Sequence, residues 1–82
     1  MISLILYSTA GCHLCESAEL LLQGAQQAFS LSWRWQEIAD SPLLMERYGV
    51  RIPVLADEYS GMEIDWPFDD TQLQSWLKQL GH

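Results

Sequence analysis

Residues 7–15 read YSTAGCHLC, and they are the most informative stretch of the chain. A short apolar run of the kind found in buried strands comes immediately before them. Gly11 breaks that run, and from Cys12 onward apolar side chains recur at intervals of three and four, which indicates an amphipathic helix over residues 12–27. Cys12 and Cys15 are therefore predicted to lie where a strand gives way to a helix.

The spacing of the two cysteines predicts redox chemistry. Positions i and i+3 of a helix have Cβ atoms about 5–6 Å apart, so small rotamer changes can form or open an S–S bond. The unpaired N–H groups and the positive dipole end of a helix N-terminus favour thiolate over thiol. Cys12 is predicted to be the nucleophile, and Cys15, one turn inside, is predicted to resolve the mixed disulfide. Gly11 and His13, which flank Cys12, are expected only to tune it.

Two other interpretations of this spacing stay open. The first is half of a zinc site, but a structural zinc needs four ligands, and the other candidates are His13 and the terminal His82. We therefore expect no bound metal. The second is chance burial of two unreactive thiols. A ring closed over two intervening residues constrains the unfolded chain little, which favours a reversible bond over a structural staple.

The rest of the chain predicts short elements in the order β-α-β-α-β-β-α. Its first β-α-β unit implies a parallel strand pair with a right-handed crossover, and its late hairpin adds an antiparallel edge. The pattern predicts an α/β fold with a four-stranded mixed sheet and helices on both faces. The expected elements are strand 2–7, helix 12–27, strand 31–38, a helix from Pro42 to Gly49, strand 50–56, turn 57–61, strand 62–66 and a last helix opened by Asp69, Asp70 and Thr71 and closed by Gly81.

Length and charge limit the functions that the chain can serve. Its 82 residues, 49% apolar and 18% charged, predict one folded domain over residues 1–82 and exclude a multi-domain enzyme. A net charge of −7 opposes nucleic acid and anionic lipid surfaces, so we expect neither as a partner. No apolar run suits a membrane span or a signal peptide, which predicts a cytoplasmic protein. We expect it to be a monomer.

Residues 7–15, followed roughly forty residues later by Ile52-Pro53-Val54, resemble the glutaredoxin branch of the thioredoxin superfamily, most closely its short bacterial glutaredoxin-like proteins. The resemblance covers nearly the whole chain and implies a thioredoxin-like three-layer fold. It also implies that Pro53 is cis and shields the Cys12 sulfur, while Ile52 pairs with an extended substrate through its backbone. A strand-start proline without a binding role is the alternative interpretation of Pro53.

The resemblance is weaker at the positions that bind glutathione. Glutaredoxins usually carry a lysine three residues before the first cysteine, an aromatic just before the second, and a glycine pair ahead of the last helix; this chain has Thr9, Leu14 and Trp66-Pro67 there. Without the lysine, the chain lacks a cation to pair with a glutathione carboxylate. Trp66-Pro67 also prevents the close approach of glutathione to the backbone that two glycines permit. Asp70 alone matches. It is a candidate for holding the glutathione amino group, and a helix cap or dipole partner is its alternative role.

Two further groups of residues are interpreted structurally. Trp33 and Trp35 share one strand face and are expected in the core, with a partner interface on an outer strand as the alternative. The acidic residues of the late hairpin are interpreted as a solvated rim, namely Asp57, Glu58, Glu63 and Asp65.

These patterns predict a thiol-disulfide oxidoreductase acting on protein or low-molecular-weight disulfides. Its partners are expected to be a disulfide-containing protein or a small thiol. No cofactor is expected to stay bound, and glutathione enters as a candidate cosubstrate. The alternative is a binding module on the same fold, with cysteines that are vestigial or serve as a slow redox sensor.

Overall fold

The structure, a computed structural model, describes residues 1–80 and contains four strands and three helices within that range. Their order is the predicted one. Gly81, expected to close the last helix, and His82, the candidate zinc ligand, lie outside the described residues. No helix within residues 1–80 has the length and apolar character needed to cross a membrane. The elements are β1 (Ile2–Ser8), α1 (His13–Ala25), β2 (Leu31–Glu37), α2 (Pro42–Tyr48), β3 (Val54–Asp57), β4 (Glu63–Asp65) and α3 (Asp70–Leu80).

The four strands form one mixed sheet in the order β2-β1-β3-β4. β1 runs parallel to β2, with Ser8 opposite Glu37, and antiparallel to β3, with Tyr7 opposite Val54. β4 adds the antiparallel edge predicted for the hairpin. The carboxyl ends of β1 and β2 and the beginning of β3 therefore meet at one end of the sheet, where the cysteines follow β1.

The sheet is covered on both faces, which confirms the predicted three-layer α/β fold. Strand residues alternate between the faces, so Leu6 and Leu55 pack on one side while Tyr7 and Val54 pack on the other. The first side carries α1 and α3, and the second carries α2. The first core contains Ile2, Leu4, Leu6, Ala18, Leu22, Ala25, Leu31, Leu55, Phe68, Leu73, Trp76, Leu77 and Leu80, and the second contains Ile38, Tyr48 and Val54.

Helix α1 differs from its prediction at both ends. Cys12 has extended backbone angles (φ −84°, ψ 106°) and caps the helix from outside its first turn. The buried stripe consequently begins at Cys15, and Leu14, an apolar residue of the predicted helix, is half exposed. The helix ends at Ala25, two residues before the predicted end, because the chain tightens into a turn in which the Gln27 amide donates to the Gly24 carbonyl.

Strand β3 begins at Val54, so the predicted strand 50–56 is wrong in its first half. The amides of Arg51 and Ile52 both donate to the Tyr48 carbonyl, which wraps this segment against the end of α2 and away from the sheet. Val50 is fully exposed as a result. The apolar run thus combines an exposed turn with a buried strand.

Two side-chain environments also differ from the predictions. Trp33 packs against the first core as expected, but Trp35 is 41% exposed because β2 is an edge strand of the described sheet. Asp57, predicted on the solvated rim, is only 1% exposed. It ends β3 opposite Leu4, and its Oδ2 accepts hydrogen bonds from the amide and hydroxyl of Ser60. Asp57 therefore organises the hairpin turn.

Candidate functional site

The turn between β1 and α1 presents the cysteines. β1 ends at Ser8, and Gly11 adopts φ +79°, a left-handed conformation that side chains with a Cβ rarely take. This turn directs the chain into α1 with Cys12 at the cap position. The backbone therefore favours glycine before the first cysteine, and the tuning role of Gly11 stays a prediction.

Cys12 and Cys15 are joined by a disulfide, with Cα atoms 5.3 Å apart. The Cys15 amide donates a hydrogen bond to Cys12 Sγ at 3.2 Å, the contact that a helix cap makes with the first turn. Cys15 is 0% exposed, whereas Cys12 is partly exposed. Cys12 is therefore the more accessible residue of the pair, and the Cys15 amide is placed to stabilise negative charge on its sulfur.

His13 lies on the exposed side of α1 rather than against a sulfur. Its Nδ1 is 3.6 Å from Glu16 Oε2, and both side chains are largely in solvent. Within residues 1–80, no three His, Cys, Asp or Glu side chains are grouped as metal ligands would be. His13 is thus positioned as a solvent-facing neighbour of Cys12.

The Ile52-Pro53-Val54 step lies at the same end of the sheet as the cysteines. The Ile52–Pro53 peptide is cis, as the resemblance implied, and Pro53 and Val54 are buried. Val54 is opposite Tyr7, so the proline lies beside the chain that leads to Cys12. The Ile52 amide donates to the Tyr48 carbonyl, and the Pro53 carbonyl accepts the Trp66 amide.

Asp70 is exposed at the start of α3, and a neighbouring residue performs the capping role considered for it. Asp69 Oδ1 accepts the Gln72 amide at 2.8 Å, while Gln72 Oε1 accepts the Asp69 amide at 2.9 Å, a reciprocal capping box. Asp70 lies one position inside the helix and accepts a hydrogen bond from Gln74 Nε2. It contributes negative charge to the first turn, as a dipole partner does. The Trp66–Pro67 peptide preceding this helix is also cis.

Glu37 is a residue of this end of the sheet that the sequence analysis did not single out. Its Oε1 accepts the Ala10 amide at 3.1 Å and its Oε2 accepts the Ala39 amide at 3.0 Å. The Ala39 amide and the Thr9 hydroxyl lower the pKa of Glu37, because both favour the charged carboxylate. An acidic residue at the end of a strand parallel to β1 was the available signal, since such ends meet at one edge.

A second unforeseen group surrounds Arg51, one residue before the Ile52–Pro53 bond. Arg51 donates to both oxygens of Asp65 at 2.9 and 2.8 Å and to Glu63 Oε1 at 2.7 Å. The Tyr48 hydroxyl donates to Glu63 Oε2 at 2.6 Å. Glu63, predicted on the solvated rim, has a side chain only 19% exposed, whereas Asp65 is exposed as predicted. Through Arg51, both carboxylates connect the segment before the proline to β4.

The ion pairs of Arg51 alter the acidity of both carboxyl groups. Burial raises the pKa of Glu63, but hydrogen bonds from Tyr48 and Arg51 outweigh it, so the pKa lies below its usual value. The hydrogen bond from Arg51 is the main reason why the pKa of Asp65 is also lowered. The carboxylate forms of both residues are therefore favoured in the folded protein.

We predict that Arg51→Gln lowers the free energy of unfolding at pH 7 by about 1–2 kcal/mol. Most of this loss comes from the ion pair with Glu63, because solvent screens the pair with the more exposed Asp65. Because the pKa values of Glu63 and Asp65 are lower in the folded than in the unfolded protein, the ion pairs stabilise the fold fully above about pH 4.5, where both carboxyls are ionised in either state. This stabilisation is lost as the pH falls through the pKa values of the folded protein. Urea unfolding between pH 7 and pH 3 should therefore show a flatter pH dependence in the variant.

Arg34→Gln is the matched control, because Arg34 pairs with Glu58 at a more exposed site. Its effect should stay within about 0.5 kcal/mol, as exposed ion pairs usually do. Equal losses in the two arginine variants would contradict the stabilising role of the Arg51 pairs.

This architecture defines a member of the thioredoxin superfamily. A helix capped by the first cysteine of a CxxC pair follows a central strand, and a cis-proline precedes the neighbouring strand at the same end of the sheet. The chain belongs to the family described as Glutaredoxin-like domain (DUF836), whose profile matches residues 3–78. The resemblance drawn from the sequence is thereby confirmed. No curated protein matches the chain in sequence.

Solved structures support the same assignment. Protein XcR50 from X. campestris is 41% identical to this chain, with a TM-score of 0.83 over 93% of this chain and 96% of its own. Protein Ne2328 from Nitrosomonas europaea is 25% identical, with a TM-score of 0.81 over 92% and 89%. Thioredoxin O2 from Arabidopsis thaliana, in its oxidized state, is 20% identical with a TM-score of 0.66 over 98% and 75%, a likeness of fold alone. This fold, with Cys12 and Cys15 at disulfide distance, fits a redox role.

Proposed function

We propose that the protein is a thiol-disulfide oxidoreductase in which Cys12 is the nucleophile and Cys15 the resolving thiol. The observation that carries the proposal is the asymmetry of the pair. Cys12 is partly exposed at the helix cap and accepts the Cys15 amide, whereas Cys15 is fully buried one turn inside. A reachable thiolate with a sheltered second thiol is the arrangement that sequential thiol-disulfide exchange requires.

The reaction consists of two exchange steps. The Cys12 thiolate attacks one sulfur of a substrate disulfide, forms a mixed disulfide and expels the other sulfur as a thiolate that takes a proton from water. Cys15 then attacks Cys12 Sγ and expels the second substrate sulfur, which leaves as a thiol with the Cys15 proton. The substrate gains two electrons and the protein becomes the Cys12–Cys15 disulfide. Two equivalents of an external thiol restore the dithiol and leave as their own disulfide.

The substrate class is a disulfide-bearing protein or a small disulfide, bound in extended form beside Pro53. We expect the substrate backbone to donate a hydrogen bond to the Ile52 carbonyl. The neighbouring residues Pro53 and Val54 are buried. Glutathione is proposed as cosubstrate and not as a bound cofactor, because Thr9 and Trp66-Pro67 replace the lysine and glycine pair usual in glutaredoxins. Asp70 is exposed and remains a candidate for an amino group. We also propose a monomer located in the cytoplasm.

Equilibration in glutathione buffers of graded potential tests this function. We expect one reversible two-electron transition between the dithiol and the Cys12–Cys15 disulfide, with little glutathione adduct at any potential, because Cys15 lies within bonding distance of Cys12. Mass spectrometry of acid-quenched samples separates the species. A predominant adduct on Cys12 would instead indicate glutathione-dependent chemistry. Thiols that stay reduced in every buffer would contradict the oxidoreductase.

A binding module is the second candidate, and two exposed apolar side chains, one between the cysteines and one in the segment before Pro53, favour it. Leu14 between the cysteines and Val50 before Pro53 both face solvent. A Cys12→Ser, Cys15→Ser double variant that retains full affinity for a captured protein partner would support this function. Loss of that capture in the single Cys12→Ser variant would support the oxidoreductase.

A further inference from the structure

Glu37 connects two turns at the end of the sheet that carries the cysteines. Its two carboxylate oxygens accept different amides, that of Ala10 in the turn after β1 and that of Ala39 in the turn after β2. Ala10 is two residues before Cys12, and it adjoins Gly11, the residue with positive φ. One side chain thus holds the short segment that orients the helix cap.

The bridge depends on the length and charge of this side chain. The carboxylate accepts two backbone N–H groups as well as the Thr9 hydroxyl, so each oxygen must be an acceptor, and only a carboxylate offers two. Hydrogen bonds to a charged acceptor are also roughly twice as strong as neutral ones. The lowered pKa of Glu37 agrees with a side chain that stays ionised in this position.

We propose that Glu37 is a positioning residue for Cys12, acting through the Ala10–Gly11 turn to keep the sulfur aligned with the amide of Cys15. This role rests on the proposed function, in which the Cys12 thiolate is the nucleophile. Glu37 touches neither the sulfur nor the substrate. It acts because a sulfur that drifts from the helix N-terminus loses the N–H groups that stabilise its negative charge.

The role makes a prediction opposite in sign to that of simple electrostatics. Removing a negative charge near a thiolate should lower the thiol pKa, whereas loosening the helix cap should raise it. The other titratable side chains of the adjoining segments are His13 and Glu16, which pair with each other in solvent, and Asp40 after β2. These stay unchanged in the Glu37 variants, so the direction of the shift separates geometry from charge.

The test measures the pKa of Cys12 from the pH dependence of iodoacetamide alkylation, in a Cys15→Ser background where Cys12 is the single thiol. Glu37→Gln removes the charge and presents an NH₂ to one of the two amides. Glu37→Asp keeps the charge but is one methylene too short to reach both. We expect both variants to raise the pKa by about half a unit or more, which slows alkylation about threefold at pH values below the pKa.

Glu58→Gln is the matched control. Glu58 lies at the opposite end of the sheet, where its amide donates to the Ser3 carbonyl and its side chain pairs with Arg34. Glu58→Gln changes the net charge of the protein by the same amount as Glu37→Gln. Its Cys12 pKa should equal that of the parent. Amide hydrogen exchange at Ala10 and Ala39 reports on the bridge directly and should accelerate in the Glu37 variants alone.

Several outcomes would overturn the role of Glu37. One is a Cys12 pKa that neither Glu37 variant moves, and another is a pKa that falls in Glu37→Gln while Glu37→Asp matches the parent. If Glu37→Gln is too unstable to purify, the Glu37→Asp measurement decides alone. The graded-potential experiment judges the proposed function independently. A parent that cycles normally while its Glu37 variants keep the parent pKa would remove this inference and leave the oxidoreductase in place.

Discussion

Cys12→Ser is expected to reduce disulfide exchange to the uncatalysed background, a loss on the order of 100-fold or more. A serine hydroxyl stays protonated at neutral pH and does not attack a disulfide, even with the Cys15 amide beside it. The remaining thiol, Cys15, is fully buried and cannot replace it. The measurement is turnover of a small mixed disulfide, with a glutathione-coupled assay and a dithiothreitol-coupled assay run in parallel.

Cys15→Ser is the control that divides the two roles. It should keep rapid alkylation of Cys12, because the sulfur remains at the helix cap, but it should accumulate a stable mixed disulfide with a protein substrate for want of a resolving thiol. Non-reducing electrophoresis shows the trapped species. If Cys15→Ser lost alkylation as completely as Cys12→Ser lost turnover, the division into nucleophile and resolving thiol would be wrong.

The largest expected loss of stability is that of Leu22→Ala. Leu22 is 0% exposed in the first core, and truncating such a leucine removes buried methyl groups and leaves a cavity, at a cost of about 2–5 kcal/mol. An 82-residue domain has a total stability of roughly 4–12 kcal/mol. The variant should therefore unfold at much lower urea concentration than the parent, or be partly unfolded without urea.

Leu20→Ala makes the same substitution two residues away in the same helix, where the side chain is 67% exposed. Both changes gain the same helix propensity, so their difference isolates burial. The control should stay within about 0.5 kcal/mol of the parent. Urea titrations of both variants followed by tryptophan fluorescence give the comparison, and similar midpoints would contradict the packing of α1 on the sheet.

Much of the fold could be predicted because its signals are local. The three-to-four spacing of apolar residues in α1 and the alternation in β2 are properties of neighbouring residues, and the ends of both elements lie within two residues of the predicted ones. Gly11 marks the turn after the first strand, where its own backbone takes a positive φ. The cis Ile52–Pro53 bond followed from the family resemblance, since spacing and composition carry no sign of it.

Element boundaries were less predictable wherever an apolar residue does not mark a buried position. Val50 extended an apolar run and was assigned to a strand, yet the hydrogen bonds of Arg51 and Ile52 to the end of α2 turn it into solvent. Leu14 fitted the helical pattern but lies beside the cap, outside the buried stripe. Hydrophobic pattern alone does not distinguish these positions from core.

The chain on its own specified which residues could do chemistry and which elements would carry them: the CxxC pair, the strand before it, the helix after it and the order of the rest. Tertiary structure alone decided which distant residues contact one another. Glu37 reaches Ala10 because β2 lies parallel to β1, and Arg51 reaches Glu63 because β4 pairs with β3. Local propensity acts over a few neighbouring residues, whereas these contacts depend on strand order and register, which form only when the whole core packs.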